Sequence, residues 1–118
     1  MATEQLVVAH AVTPEGVIDD ATILIEDGRI VSVLPGGGGG RLWAVPGFVD
    51  THCHGAVGVS FGDPDPARNI AAIEHHRGHG TTTIFASTVT EPLEKLEAQL
   101  AVLRSLHEEG HLDGIHLE

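Results

Sequence analysis

The stretch Pro46-Gly47-Phe48-Val49-Asp50-Thr51-His52-Cys53-His54-Gly55 decides the fold and points to the chemistry of this chain. It is typical of a buried strand that ends in a His-x-His pair. Because alternate residues of a strand share a face, we expect Asp50, His52 and His54 to point one way and Cys53 the other. Two imidazoles on one face at the carboxyl end of a strand can chelate a metal ion. A pair of hydrogen-bonded loop histidines is the alternative.

A second strand, Gly114-Ile115-His116-Leu117-Glu118, carries a candidate third ligand. In a parallel sheet the Glu118 carboxylate would emerge at the same edge as the His-x-His pair. His116 has the strand parity of Glu118 and is expected beneath it, as a supporting residue or a core histidine. Asp50 is expected below the two histidines, where it would orient an imidazole or accept backbone hydrogen bonds. Cys53 is expected to be a packed thiol that faces the helix layer.

The pattern of secondary-structure signals in the sequence changes at Val45. Before it, short β-rich segments alternate with turn residues such as Asp27-Gly28, which predicts a small antiparallel unit over residues 1–45. After it, strands and helices alternate through residues 46–118, which predicts right-handed crossovers and a parallel sheet. The predicted elements are strands at 48–54, 81–89 and 114–118 and helices at 65–78 and 91–109.

Other glycine and histidine clusters carry weaker signals. The run Gly36–Gly40 is expected to be a loose loop rather than a phosphate cradle, because no helix start and no Lys-Ser/Thr follow it. His75, His76 and His79 stand at a helix end, where the helix dipole favours them, and are expected on the side of the sheet away from the site. The remaining histidines show no partner pattern and are expected to be structural or exposed: His10, His107 and His111.

Composition excludes several classes of partner. The 118 residues include 17 acidic and 6 basic side chains, and the net charge of −11 argues against binding to nucleic acid or to anionic membranes. A single cysteine cannot form an internal disulfide. No apolar run reaches the length of a membrane-spanning helix, so the expected location is cytoplasmic.

These motifs together resemble the amidohydrolase superfamily and, within it, the N-acetylglucosamine-6-phosphate deacetylases. The resemblance rests on four segments: 25–30, 45–55, 80–83 and 114–118. The Pro-Gly-Phe-x-Asp-x-His-x-His element is typical of the superfamily, and the closing Gly-Ile-His-Leu-Glu narrows it to the deacetylases. The resemblance implies an α/β architecture in which residues 1–45 are part of a small β-sandwich domain. Residues 46–118 would then begin a metal-dependent (β/α)8 TIM barrel.

The resemblance also implies a metal site and a reaction. Its metal ligands would be His52, His54 and Glu118, with Asp50 and His116 in support, and it would hold one or two divalent ions. Zinc is expected first, with iron or manganese as alternatives. The implied reaction is hydrolysis of the small-molecule amino-sugar phosphate N-acetylglucosamine 6-phosphate to glucosamine 6-phosphate and acetate, by water that the ion makes acidic. The implied assembly is a homodimer.

Chain length limits what these residues can do alone. A full barrel needs about 250 residues, and 73 remain after Val45 (118 minus 45). We therefore expect an amino-terminal portion that is inactive by itself. It would hold no catalytic residue beyond the metal ligands, and the acid/base and substrate-binding groups would lie beyond Glu118. The alternatives are another amidohydrolase, acting on a cyclic amide or an aminopurine, and a non-catalytic metal-binding fragment.

Overall fold

The computed structural model describes residues 2–118, which fall into two compact units. The first unit ends at Pro46 and the second is Gly47–Glu118. The strands of the first unit are β1 (Thr3–Thr13), β2 (Gly16–Glu26), β3 (Arg29–Pro35) and β4 (Trp43–Ala44). They form one sheet in the order β3-β2-β1-β4, in which β1, β2 and β3 pair antiparallel as predicted and β4 runs parallel to β1.

Local turn chemistry and a small apolar core explain the first unit. Asp27 and Gly28 both have positive φ, 49° and 75°, which suits the tight turn between two twisted antiparallel strands. On one face of the sheet the core is made by alternating small and β-branched side chains that are almost fully buried: Val8, Ala11, Ala21 and Ile23. The period of two in β1 and β2 therefore determines which face is apolar.

The glycine run is shaped by contacts that the sequence pattern did not predict. The Gly38 N–H donates to the Asp20 carboxylate at 3.0 Å, and the Thr22 hydroxyl donates to the Gly36 carbonyl at 2.6 Å. A Cβ on Gly40 would overlap the Val8 backbone, so a glycine is required there. The run is held against β1 and β2 instead of forming the loose loop that was predicted.

The second unit alternates strands and helices. Its strands are β5 (Phe48–Cys53), β6 (Gly55–Ala56), β7 (Val59–Ser60), β8 (Thr81–Thr88) and β9 (Gly114–Leu117), and its helices are α1 (Pro66–Gly78) and α2 (Leu93–Glu108). The three long strands form a parallel sheet in the order β5-β8-β9, which confirms the prediction from the alternation. The β6-β7 hairpin was not predicted.

Capping and apolar periodicity account for the helices. The Asp65 carboxylate accepts a hydrogen bond from the Ala67 N–H at 2.9 Å, and proline follows it in the first turn of α1. Leu103 and Leu106 of the predicted α2 stripe are buried against the sheet. Each fully buried aliphatic side chain contributes about 1.5–3 kcal/mol relative to an exposed one. This packing fixes the sheet whose carboxyl edge carries the candidate ligands.

A register shift in β5 changes which side chains share a face. Asp50 pairs with Ile84 and Cys53 with Ala86, so three steps along β5 match two steps along β8. Paired residues in neighbouring strands project to the same side, and Ile84 and Ala86 belong to the buried core. Asp50 therefore faces the helix layer together with Cys53. The predicted inward position of Asp50 is wrong, because strict alternation does not hold across the bulge.

Candidate metal centre

The structure brings together the three side chains that the sequence singled out. His54 Nε2 lies 2.8 Å from Glu118 Oε2 and 3.1 Å from His52 Nε2. The third edge, from His52 Nε2 to Glu118 Oε2, is 3.6 Å. The three side chains are roughly half exposed, at 53% for His52, 40% for His54 and 49% for Glu118. Their ligand atoms form one small triangle at the carboxyl edge of the sheet.

The size of this triangle fits one transition-metal ion. Zinc bonds to imidazole nitrogen at 2.0–2.1 Å and to carboxylate oxygen at 2.0–2.2 Å, so tetrahedral ligands stand about 3.3–3.6 Å apart. The observed edges span 2.8 to 3.6 Å, and the shortest, from His54 to Glu118, is a hydrogen-bond length. A small widening of that edge would accommodate an ion. Two imidazoles and one carboxylate also match the donor types that zinc, iron and manganese accept.

Backbone contacts hold His54 just beyond the end of β5. The Phe61 N–H donates to the His54 carbonyl at 2.8 Å, which ties the ligand to the residue that follows β7. Gly55 opens the β6-β7 hairpin with a φ of +133°. A Cβ at this position would overlap the Val59 carbonyl oxygen. The hairpin therefore needs a glycine directly after the second histidine.

His116 and Ser87 lie side by side on the face of the sheet that carries His52. They pair in the parallel register of β8 and β9, and His116 Nδ1 lies 2.9 Å from the Ser87 hydroxyl. The ring of His116 meets the ring of His52 edge to face, with centroids 4.6 Å apart. His116 thus contacts a candidate ligand, although its hydrogen bond goes to serine. Nothing in the sequence pattern singles out Ser87 beyond its place at the carboxyl end of β8.

Asp50 contacts the site through the backbone. Its carboxylate accepts a hydrogen bond from the His52 N–H at 3.2 Å. Of the two roles predicted for Asp50, this contact corresponds to the backbone acceptor. Asp50 can thus restrain the main chain at the first histidine from the helix side.

A second group of ligand-type side chains lies on the helix side of the same strand end. One ligand atom each from Asp50, Cys53 and His76 lies within 4.8 Å of the others. His76 Nε2 is 3.1 Å from the Gly55 carbonyl oxygen and 3.1 Å from Cys53 Sγ. Because a carbonyl only accepts, the hydrogen bond to Gly55 requires the tautomer with the hydrogen on this nitrogen, which leaves it no lone pair for a metal. The group is therefore a hydrogen-bonded cluster.

Burial governs the chemistry of the thiol in this cluster. Cys53 is 8% exposed, which confirms the predicted packed position. Desolvation raises the pKa of Cys53 above its ordinary value of 9.0, the hydrogen bond with the Gly55 backbone lowers it, and the Asp50 charge adds a further increase. The thiol therefore stays protonated near neutral pH, unlike a thiolate ligand.

The other histidines follow the sequence expectations only in part. His76 reaches the carboxyl end of β5, so its predicted place away from the site is wrong. His79 Nδ1 contacts the His75 carbonyl at 2.7 Å, within the end of α1. His10 has a partner that was not predicted, since its Nδ1 lies 2.7 Å from the carboxylate of Asp19 across the β1-β2 pair. It also packs on the ring of Trp43.

A trough of about 720 Å³ lies within the first unit, and its lining is apolar apart from Thr13 and Glu15. Two smaller hollows of about 530 and 220 Å³ adjoin His52 and His54. Among residues 2–118, no helix is long and apolar enough to cross a membrane.

The chain is similar to amino-sugar phosphate deacetylases. A curated relative, N-acetylgalactosamine-6-phosphate deacetylase from Escherichia coli O157:H7, is 31% identical over an alignment of 103 residues that covers 83% of this chain and 27% of the relative. A mutant N-acetyl-D-glucosamine-6-phosphate deacetylase from Mycobacterium smegmatis, solved in complex with N-acetyl-D-glucosamine-6-phosphate, is 35% identical with a TM-score of 0.83. That match covers 99% of this chain and 32% of the relative. No protein-family model matches the chain.

A third relative extends the same picture. N-acetylglucosamine-6-phosphate deacetylase from Thermotoga maritima is 32% identical with a TM-score of 0.80, over 97% of this chain and 31% of the relative. The predicted resemblance to the N-acetylglucosamine-6-phosphate deacetylases is thus confirmed. The chain spans about a third of the length of the solved relatives and 27% of the curated one. This coverage is consistent with an amino-terminal portion.

Proposed function

We propose that this chain is the amino-terminal portion of a metal-dependent deacetylase in which His52, His54 and Glu118 hold a divalent ion. The observation that carries the proposal is the triangle of their ligand atoms, with edges of 2.8 to 3.6 Å, at the carboxyl ends of β5 and β9, between which β8 lies. These two segments are far apart in sequence, yet the fold brings their side chains into contact. Chance proximity of exposed polar side chains is therefore a weak explanation. Residues 1–46 would then contribute to a β-sandwich and residues 47–118 to a (β/α)8 barrel.

The proposed substrate is N-acetylglucosamine 6-phosphate. Support comes from the names of the solved relatives, which are 32–35% identical to this chain. The curated relative is named for the galactosamine epimer, which makes N-acetylgalactosamine 6-phosphate the second candidate. Both substrates carry the same acetamide, so the choice between them depends on sugar contacts rather than on the metal centre.

The residues of this chain would hold and orient the ion. A divalent ion bound there supplies Lewis acidity, which polarises an amide carbonyl and makes water a better nucleophile at neutral pH. His52 and His54 would contribute imidazole nitrogens, and Glu118 would contribute a carboxylate that offsets part of the charge of the ion. Asp50 and His116 would restrain His52 from opposite sides, through its N–H and its ring respectively.

The remaining catalytic work is assigned to residues outside this chain. A general acid must protonate the departing amine, and we propose that it lies in the part of the relatives that this chain does not cover. Zinc is the proposed ion, with iron and manganese as alternatives. The homodimer and the cytoplasmic location remain predictions from the family resemblance.

The test is acetate release by the protein purified at its native length. The two epimeric sugar phosphates are supplied separately, before and after treatment with a chelator. We expect release from N-acetylglucosamine 6-phosphate, loss of the activity on chelation and recovery when zinc is returned. His54→Ala should abolish the activity, whereas His79→Ala should leave it unchanged, because the exposed His79 contacts the His75 carbonyl within the end of α1.

Three results would redirect the proposal. Faster release from the galactosamine epimer would make that sugar the substrate. Hydrolysis of a cyclic amide or an aminopurine, with neither sugar phosphate accepted, would favour another amidohydrolase. Stoichiometric zinc binding without hydrolysis of any of these amides would favour the non-catalytic metal-binding fragment.

A further inference from the structure

Ser87 is a buried polar residue that sequence analysis did not single out. Its side chain is 1% exposed, next to the carboxyl end of β8. Burying a hydroxyl costs free energy unless it is hydrogen-bonded. This hydroxyl has two partners, the Cys53 N–H at 3.1 Å and His116 Nδ1 at 2.9 Å. Its burial is therefore fully compensated, and both partners lie next to candidate metal ligands.

The first partner is the peptide group between the two histidines. Cys53 separates His52 from His54, and its N–H lies where the register of β5 has shifted. At this bulge the regular β-ladder is disrupted and the extra residue is left unpaired. The Ser87 hydroxyl accepts the Cys53 N–H and so takes the place of a main-chain acceptor. It fixes the segment from which both imidazoles project.

The second partner fixes a ring that touches a ligand. Since the hydroxyl accepts from Cys53, its own hydrogen is free to be donated to His116 Nδ1. The ring of His116 then packs edge to face on His52, with centroids 4.6 Å apart. One side chain thereby restrains the main chain of the ligand pair and the aromatic neighbour of His52.

We propose that Ser87 is a positioning residue of the metal centre, whose single hydroxyl fixes both the Cys53 peptide and the His116 ring. This inference rests on the proposed function, because it concerns the same three ligands. Outer contacts that orient ligands typically contribute about 10–100-fold to metal affinity. Ser87 acts through Cys53 and His116 and does not reach the ion itself.

The test measures metal binding by the protein at its native length and by three variants. Affinity for Zn²⁺ is obtained by competition with a chromophoric chelator, and ligand geometry from the visible absorption bands of the Co²⁺-loaded protein. Ser87→Ala removes the hydroxyl, and Ser87→Thr retains it. Ser87 is one of the residues that line a hollow of about 220 Å³, so the added methyl group is the smallest change that keeps the hydroxyl. Ser105→Ala is the matched control, because that serine bonds Glu109 on the exposed side of α2.

We expect Ser87→Ala to weaken Zn²⁺ binding about 10–100-fold and to alter the Co²⁺ bands. Ser87→Thr should restore both, and Ser105→Ala should match the wild type. Should Ser87→Ala fail to fold, Ser87→Cys replaces it, because a thiol fills the space but hydrogen-bonds weakly.

Two results overturn the inference while leaving the metal centre intact. One is wild-type affinity and unchanged Co²⁺ bands in Ser87→Ala. The other is an equal loss in Ser87→Ala and Ser87→Thr, since the hydroxyl would then be irrelevant. Absence of Zn²⁺ binding by the wild-type chain is a different failure, because it overturns the proposed metal centre itself.

Discussion

Two groups of ligand-type side chains lie on opposite sides of the same strand end, and they differ in exposure and in what their donor atoms contact. On the outer side, His52, His54 and Glu118 contact one another and are roughly half exposed. On the helix side, Cys53 is buried and His76 Nε2 is occupied by the Gly55 carbonyl. Proximity alone places both groups within metal-binding range. Exposure and the partners of the donor atoms separate them, since one group is solvated and the other is packed against the backbone.

The difference shows how burial and the backbone decide between binding and packing. A metal ligand must present an unprotonated donor. His76 donates to a carbonyl, and burial raises the pKa of Cys53, so both hold their hydrogens. The outer imidazoles and carboxylate bond one another, and an ion can replace those contacts. These properties favour the outer group as the proposed metal centre and the inner group as packed structure beside it.

The largest effect is expected when one histidine is removed from each group, which tests whether only the outer group binds metal. His54→Ala takes away the atom that is closest to both other ligands, at 2.8 and 3.1 Å. We expect the Zn²⁺ affinity to fall more than about 100-fold, which is the upper end of the loss expected when a residue that only orients a ligand is removed. His76→Ala is the control and should leave the affinity nearly unchanged. Equal losses in the two variants, measured by chelator competition, would contradict the distinction.

The next largest effect is expected at Gly55, which follows His54 and whose carbonyl contacts His76. Gly55→Ala places a Cβ against the Val59 carbonyl at a φ of +133°. We expect the free energy of unfolding to fall by at least about 2 kcal/mol, because the hairpin must shift. Gly58→Ala is the matched control, since that glycine also has positive φ but meets open space. Urea unfolding of both variants checks this, and an equal loss would show that strain at positive φ, rather than overlap, sets the cost.

Much of the outer group could be predicted from sequence, and little of the inner group. His52, His54 and Glu118 are at the ends of segments whose strand character and parallel order were predicted from alternation with capped helices. The bulge between Asp50 and Cys53 depends on pairing with β8 and leaves no mark in composition. For that reason the face of Asp50 was mispredicted.

Contacts between distant segments could not be predicted from the sequence for a similar reason. His76 is one of three neighbouring histidines at the end of α1, and only the packing of α1 beside Gly55 selects it. The β6-β7 hairpin turns at Val57, which has a φ of 49° despite its branched side chain. Such a turn lacks the Asn-Gly or Asp-Gly signal on which hairpin prediction depends.

A smaller effect separates packing from metal binding at Cys53. Cys53→Ala removes the Sγ contact with His76 at 3.1 Å and leaves a small void in the core. We expect a loss of about 1–2 kcal/mol in the free energy of unfolding. The Zn²⁺ affinity should match the wild type. A large loss of affinity with unchanged stability would instead make the thiol a ligand.

The smallest expected effect is a pH dependence of stability from the same thiol. Its folded pKa is raised above 9.0, so the folded state holds the proton more tightly than the unfolded state. The stabilisation is therefore complete below pH 9.0 and is lost as pH rises through the folded pKa. Urea unfolding of the chelator-treated chain should show the wild type losing its advantage over Cys53→Ala above that pH. An advantage that grows with pH would contradict the raised pKa.

The identity of the metal ligands is tested most directly by the X-ray absorption spectrum of the Zn²⁺-loaded protein at the zinc edge. It reports the elements bound to the ion and their distances. With His52, His54 and Glu118 as ligands, we expect a shell of nitrogen and oxygen alone at about 2.0–2.2 Å. A sulfur neighbour at about 2.3 Å would contradict it, because that ion would be bound by Cys53 in the inner group.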